Sequence, residues 1–459
     1  MTSGQVSQAD ANLWLAYGTK LKSQFLQGGL GPDEHFYIAP ISAAGIAAGA
    51  RVDQNVTNYG IYNVADSLLS LKSPVFLPTR DSYSKRALQY SGQVFLDPDG
   101  NQGAAVRYKN AQDAYTQANQ DLADAKKQAL ADWKSDTNDG ITTDSFPVWA
   151  SRNAPGYASA ESAQRAAAAE MSAASASIKG PNAAVLGGIQ TNLQSALGTN
   201  IVPGFTMNVS ACPANQVGAK TTGTPLATFV NPLYSIDATY SANVDNWIAT
   251  YTQNLKSPIK FSFNASQASS TDWGSLGFSQ DSVEVKGSYA IFFTATYYEN
   301  NQQVTKHMTA EEAGSDLEIT LTATGFGSYK VQPGNWNPAG LFKMPLVDNA
   351  DQSLRDPSAY VTTAILAYGV GLSVKLSSTA SSQIHDYISK ASSSGGSASI
   401  FGFNIGLGGS AEKSNTSTVN FDDVKNASSG TTVNIPPSDN SYPTLLAVVG
   451  TSLPIPPNN

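Results

Sequence analysis

"YGVGLSVKLSS", residues 368–378, sets Tyr368, Val370, Leu372, Val374 and Leu376 on one face of an extended chain and Gly369, Gly371, Ser373, Lys375 and Ser377 on the other. Alternation with period two marks a β-strand, and glycines along one side mean that something approaches that side closely. A second stretch, "SIFGFNIGLGG" (399–409), repeats the asymmetry, with Phe401, Phe403, Ile405 and Leu407 facing away from Gly402, Asn404, Gly406 and Gly408. These two Gly-faced strands, about 366–377 and 399–408, flank "STASSQIHDYISKASSSGGSA". There Ile384, Tyr387 and Ile388 line one side of a short helix between Ser-rich linkers, whose composition reads as a mobile tip.

Working outward, the chain beyond about residue 200 keeps this β character. "IKFSF" alternates Ile259, Phe261 and Phe263, and "LEITLTATG" sets Leu317, Ile319 and Leu321 against Glu318, Thr320 and Thr322. "VEVKGSYAIFFTATYY" is a long strand or a bent pair with Gly287 at the bend, and "STVNF" and "TTVNI" are shorter candidates. With no regular helical crossovers between them, an antiparallel sheet, sandwich or partly closed barrel is expected in preference to a parallel sheet.

The first 200 residues read differently. Ser7 caps a helix with Asp10 three residues on, and Trp14, Tyr17, Leu21 and Phe25 recur at helical spacing. "APISAAGIAAG" reads as a close-packed helix with Gly45 and Gly49 in a GxxxG spacing, too short and too interrupted by Pro40 and Arg51 to cross a membrane. From Ala104 to Trp133, a seam of Tyr108, Ala111, Tyr115, Ala118, Leu122, Ala125 and Ala129 alternates three- and four-residue steps. Ala160, Ala163, Ala167, Met171, Ala174 and Ile178 repeat it, predicting an antiparallel helical hairpin over about 104–178 in which alanines allow close approach. A third helix presents Leu186, Ile189, Leu193 and Leu197. The expected fold class is therefore α+β, with a mainly helical region over 1–200 and a mainly antiparallel β domain over 201–459.

Composition narrows the function. Only 14% of residues are charged, against roughly 25% in soluble domains generally, which suits an extracellular or surface protein or one that packs against copies of itself. A net charge of −8 with no Lys/Arg cluster counts against a nucleic-acid partner. The single cysteine, Cys212, excludes an intramolecular disulfide. The amino-terminal stretch shows no signal-peptide pattern, so the compartment is left open.

No GxSxG, GxxxxGK[ST], HExxH or CxxC motif is present, and whether the chain is an enzyme is undecided by its motifs. No cofactor is expected. Candidate sites for a divalent cation include His307 with Glu311, four apart and aligned only if helical, and the oxygen-rich turns of Asp97, Asp99 and Asn101 and of Asp136, Asn138, Asp139 and Asp144, which lack the rest of a calcium loop. Tyr- and Trp-rich stretches such as "PLYSIDATY" and "GNWNPAGLF" suit glycan recognition or ordinary core packing.

The leading expectation is a non-enzymatic, self-associating or membrane-active, pore-forming-like protein. Phe401, Phe403, Ile405, Leu407, Val370, Leu372 and Val374 would be its lipid or partner contacts, since a transmembrane strand needs one apolar and one small or polar face. In that reading the strands form a hairpin stored against the body. The alternatives are a surface binding protein, possibly for glycans, and an enzyme whose site no motif announces.

Overall fold

The structure is a computed structural model, and it describes residues 7–40, 45–76, 82–96, 102–138, 141, 146–178, 181–197, 204–208, 228–270, 272–279, 281, 291–300, 302–406, 418–420, 431–437 and 443–456. The first part of the chain runs α1 (Gln8–Phe25), β1 (Glu34–Ile38), α2 (Gln54–Ala65), β2 (Leu68–Ser70), α3 (Tyr83–Ser91), α4 (Gln102–Asn138), α5 (Phe146–Asn153), α6 (Pro155–Ser175) and α7 (Pro181–Ala196). There follow β3 (Gly204–Asn208), β4 (Thr228–Pro232), β5 (Tyr234–Ile236), α8 (Tyr240–Asn254), β6 (Ile259–Phe263), β7 (Phe293–Glu299), β8 (Gln302–Met308), β9 (Glu318–Ala323) and β10 (Gly325–Pro333). The chain then forms β11 (Ser358–Tyr368), β12 (Gly371–Lys375), α9 (Ser378–Ser394), β13 (Ser397–Ile400), β14 (Phe403–Gly406), β15 (Thr418–Asn420), β16 (Thr432–Ile435) and β17 (Thr444–Ser452). The fold is α+β, with a helix-rich first half and a mainly antiparallel second half, as the sequence patterns require.

The helical hairpin forms where the seams predict it. At 1.5 Å per residue, the 37 residues of α4 reach about 55 Å. Tyr108, Ala111 and Tyr115 are buried near its start, and Arg107 pairs with Glu170 while Tyr115 meets Gln164, the descending register of an antiparallel partner. On α6 the observed seam differs from the expected one: Ala163 is exposed, and Gln164 and Ala168 take the buried positions beside Met171 and Ala174. Gln164 satisfies its amide by donating to the Tyr115 hydroxyl at 3.2 Å and to Asn119 Oδ1 at 3.1 Å, so a polar residue occupies a position that an apolar count passes over. The far end leaves the common core and carries its own small one, Ala129, Trp149, Ala150 and Ala154 packed against Trp133, Phe146 and Tyr157.

The expected helix around Gly45 and Gly49 is not formed: residues 45–49 run irregularly along the sheet end, with Gly45 bridged to Thr444 and the Ile46 N–H donating to the Pro443 carbonyl at 3.2 Å. The small residues there allow backbone to lie on backbone.

Two antiparallel sheets, one of six strands and one of four, run into each other along the chain as a single bent sheet and organise the rest. Its first half has the order β1-β17-β11-β10-β5, with β2 on the end of β11, and its second half β16-β12-β9-β6. The halves are joined through the chain itself, because β10 continues from β9 with only Thr324 between them and β11 passes into β12 through Gly369 and Val370. At that bend the Thr324 N–H and hydroxyl both donate to the Tyr368 carbonyl, at 3.0 and 3.1 Å. The single strand expected over 366–377 is thus two strands broken at Gly369, which has φ +56°. The buried core is continuous from α1 and β1 through the helical hairpin's base to β17.

A buried carboxylate ties the helical and β parts. Asp66, at the end of α2, accepts from the Ser84 N–H and hydroxyl, both at 2.9 Å, and from the Tyr234 hydroxyl at 2.6 Å. Burial outweighs these donors and pushes its pKa up to about 6. Because the folded-state value lies above the unfolded one, this group's contribution is fully present below about pH 4 and is lost as pH rises through about 6. Urea midpoints of the wild type measured from pH 4 to 7 are expected to carry a downward component of about 2–3 kcal/mol. Asp66→Asn should lack that slope, and parallel pH profiles for the two proteins would contradict the assignment.

Candidate functional site

Two of the long connections within the bent sheet build a further sheet between them. Antiparallel neighbours are normally linked by turns of two to five residues. Here β6 reaches its neighbour β9 only after residues 264–317, and β12 reaches its neighbour β16 only after residues 376–431. The described residues of both inserts fold together: the five-stranded sheet β15-β14-β13-β7-β8 draws every strand from one insert or the other. Its joint is the β7–β13 pairing, Ser397 opposite Thr296 through Ile400 opposite Phe293.

Each element of this assembly has a local cause. Ser377 caps α9 by accepting from the Ala380 N–H, and Gly395 closes the helix in the left-handed conformation. The buried stripe Ala380, Ile384, Ile388 and Ala391 seats α9, while Tyr387 stacks beside Phe293 and Lys390 lies over the Tyr297 ring. The β13–β14 hairpin turns through Phe401 and Gly402, both at positive φ (+47° and +79°), between the paired Ile400 and Phe403. Phe401 is a costly residue at such a position, and its ring is buried against Trp14, Tyr17 and Phe263.

Five of the seven expected contact residues are inward in this state. Val370, Leu372 and Val374 lie in the core on or beside β12, and Phe401 and Phe403 are buried in the β13–β14 hairpin. Ile405 belongs to β14, and Leu407 lies outside the described residues. The two Gly-faced strands do not pair with each other as a hairpin. β12 pairs with β9 and β16, β13 with β7 and β14, and the connecting segment is the packed helix α9, not a loose tip. The apolar stripe of α9 finds a sheet to cover, and that burial orders the Ser-rich flanks.

The cation candidates are not brought together. His307 stands exposed on β8, with Nδ1 3.1 Å from the Thr294 hydroxyl, and Glu311 sits in the turn that follows, so the helical alignment does not exist. Asp97, Asp99 and Asn101 lie outside the described residues, as does Cys212. Among the described residues no group of three or more His, Cys, Asp or Glu is placed to hold a metal ion. The aromatics of the two Tyr- and Trp-rich stretches are core: Tyr234, Tyr240, Trp336 and Phe342 are buried.

Two polar groups at the base of the first insert were not legible from spacing. His35 on β1 donates from Nδ1 to the Gly277 carbonyl at 2.6 Å, which leaves Nε2 to accept from the Ser452 hydroxyl at 2.7 Å; burial lowers its pKa. Asp10 on α1 is buried and accepts from the backbone N–H groups of Phe292 and Ala310, at 3.2 and 2.9 Å, just outside the two ends of the β7–β8 hairpin. Burial raises its pKa, against the hydrogen bonds from Ser7, Ala310 and Phe292.

No protein-family model matches the chain, and neither the curated proteins nor the solved structures compared with it include a match.

Proposed function

We propose that this is a membrane-active, self-associating protein in which the two inserts are stored hairpin extensions. The observation that carries the reading is that both inserts join neighbouring antiparallel strands of one bent sheet, so that straightening either would lengthen an existing hairpin. Each is long enough for two spanning strands of about 10 residues. Their sequences alternate suitably: Phe293, Ala295 and Tyr297 against Thr294 and Thr296 in one, Phe403, Ile405 and Leu407 against Asn404, Gly406 and Gly408 in the other. Spanning strands must close into a barrel to satisfy their edges, which is why the reading includes self-association. Among the described residues no helix is long and apolar enough to cross a membrane, so the inserts and not the helices are the segments assigned this role.

The test is dye release from vesicles by Thr296→Cys/Ser397→Cys in a Cys212→Ser background. The two positions are directly paired across β7 and β13. Paired strand positions lie about 4.5–5.5 Å apart at Cα, within disulfide reach. The reduced protein is expected to release dye, the oxidised protein to lose at least about nine-tenths of that release, and reductant to restore it. Equal release from both forms, or none from the reduced form on any of phosphatidylcholine, anionic and sterol-containing vesicles, would overturn the proposal.

A further inference from the structure

The geometry points to α1 as a clamp that holds both inserts in their stored form, so that its displacement from them is the event that frees them; this rests on the membrane-active reading. Leu13 to Gly18 are all buried, a run longer than one helical turn, so the helix is covered on every side there. One side belongs to the body, and Gly18 sits at the boundary, against both Ile38 of β1 and Leu276 of the first insert. The other side is a stripe at helical spacing, Asp10, Trp14, Tyr17 and Gly18, then Lys22, and each of these meets an insert. Asp10 takes the Phe292 and Ala310 N–H groups of the first insert. Trp14 stacks on Phe401 of the second at 4.6 Å, and Tyr17 meets the same ring edge-on at 5.3 Å. Gly18 abuts Leu276, and Lys22 Nζ donates to the Ser275 carbonyl at 2.6 Å, both in the first insert.

The two inserts therefore share one anchor although they leave the sheet at different places. The contact with the second insert also holds a backbone that would not choose its own conformation. Phe401 stays at φ +47° because its ring is buried between α1 and β6, and once α1 withdraws that compensation is gone. The Asp10 contact has a matching property on the first insert, since two backbone donors would lose a charged acceptor at the same moment. Loss of one helix thus loosens both hairpins together.

Hydrogen exchange read by mass spectrometry on the full chain tests this without reference to membranes. In Asp10→Ala and in Trp14→Ala, amides of 292–300, 302–310 and 397–403 are expected to exchange about 10- to 100-fold faster than in the wild type, with 361–367 and 445–449 of the bent sheet unchanged. Phe401→Gly, which suits the turn's backbone and removes only the ring, gives a third variant should Trp14→Ala fail to fold, and is expected to loosen 397–403 likewise. Unchanged protection of the inserts in the folded variants, or equal loss from inserts and bent sheet, would overturn the clamp. Dye release measured in parallel from phosphatidylcholine, anionic and sterol-containing vesicles separates the two readings: faster exchange without release from any of them leaves the clamp standing and removes the membrane role, and release by the wild type without faster exchange in the variants does the reverse.

Discussion

Leu372→Asp is expected to leave much of the chain unfolded at 25 °C, while Ser373→Asp, one residue away, changes stability by less than about 1 kcal/mol. Leu372 is 2% exposed and pairs across β12 with Leu321 on one side and Ile435 on the other, both buried. Removing a buried leucine side chain costs about 2–5 kcal/mol, and the carboxyl that replaces it must be desolvated or neutralised with no partner. A total of about 5 kcal/mol or more equals the whole stability of many domains. Ser373 points to the opposite, half-exposed face between Thr320 and Asn434, where a carboxylate keeps its water. Urea titrations followed by circular dichroism decide the matter, and equal tolerance of the two aspartates would mean that the apolar face of β12 is not buried. The same argument covers Phe403→Asp, because Phe403 is fully buried. Loss of membrane activity in such a variant would report unfolding, which is why the disulfide across β7 and β13 is the sharper probe.

Gly369→Ala is expected to cost about 3 kcal/mol, and Gly395→Ala about 1 kcal/mol. Both glycines have left-handed backbones, φ +56° and +72°, so an alanine pays the conformational penalty at each. They differ in space. A Cβ at Gly369 would collide with Thr324 Oγ1 and lie 2.8 Å from Tyr251 Cε2, whereas nothing lies within 4 Å of one at Gly395. The Thr324 hydroxyl cannot simply rotate away without cost, because it donates to the Tyr368 carbonyl at the bend. Thermal melts of the two variants beside the wild type measure the difference. Equal shifts would place the whole cost in the backbone conformation and leave the tight packing at the bend without consequence.

Neither bend nor packing could be read from the period-two pattern that identifies β11 and β12. Alternation places Tyr368, Val370, Leu372 and Val374 on one apolar series and continues smoothly through Gly369, because a bend at glycine changes the direction of the chain without changing which residues are apolar. The same limit applies to α6. Counting alanines put Ala163 in the seam, but Gln164 is there, held by Tyr115 and Asn119, and a hydrogen-bonded polar group is invisible to an apolar count. Of the candidate site, the two Gly-faced stretches and the intervening helix were legible as elements. Their partners were not. The pairing of Ser397 with Thr296, and the meeting of Asp10 with Phe292 and Ala310, bring together residues from distant parts of the chain.

By itself the sequence determined the α+β class, the helical hairpin, the capped first helix with its aromatic stripe, and which residues of each strand share a face. These follow from interactions between residues a few positions apart, whose geometry repeats with period 3.6 or 2. Only the tertiary structure decided that the Gly-faced strands lie in different sheets, that the two inserts build one sheet between them, and that one face of α1 touches both. A strand's alternation states which side must be buried but not which neighbour buries it, and an open edge accepts any strand of compatible face. That choice is made by the packing of the whole core.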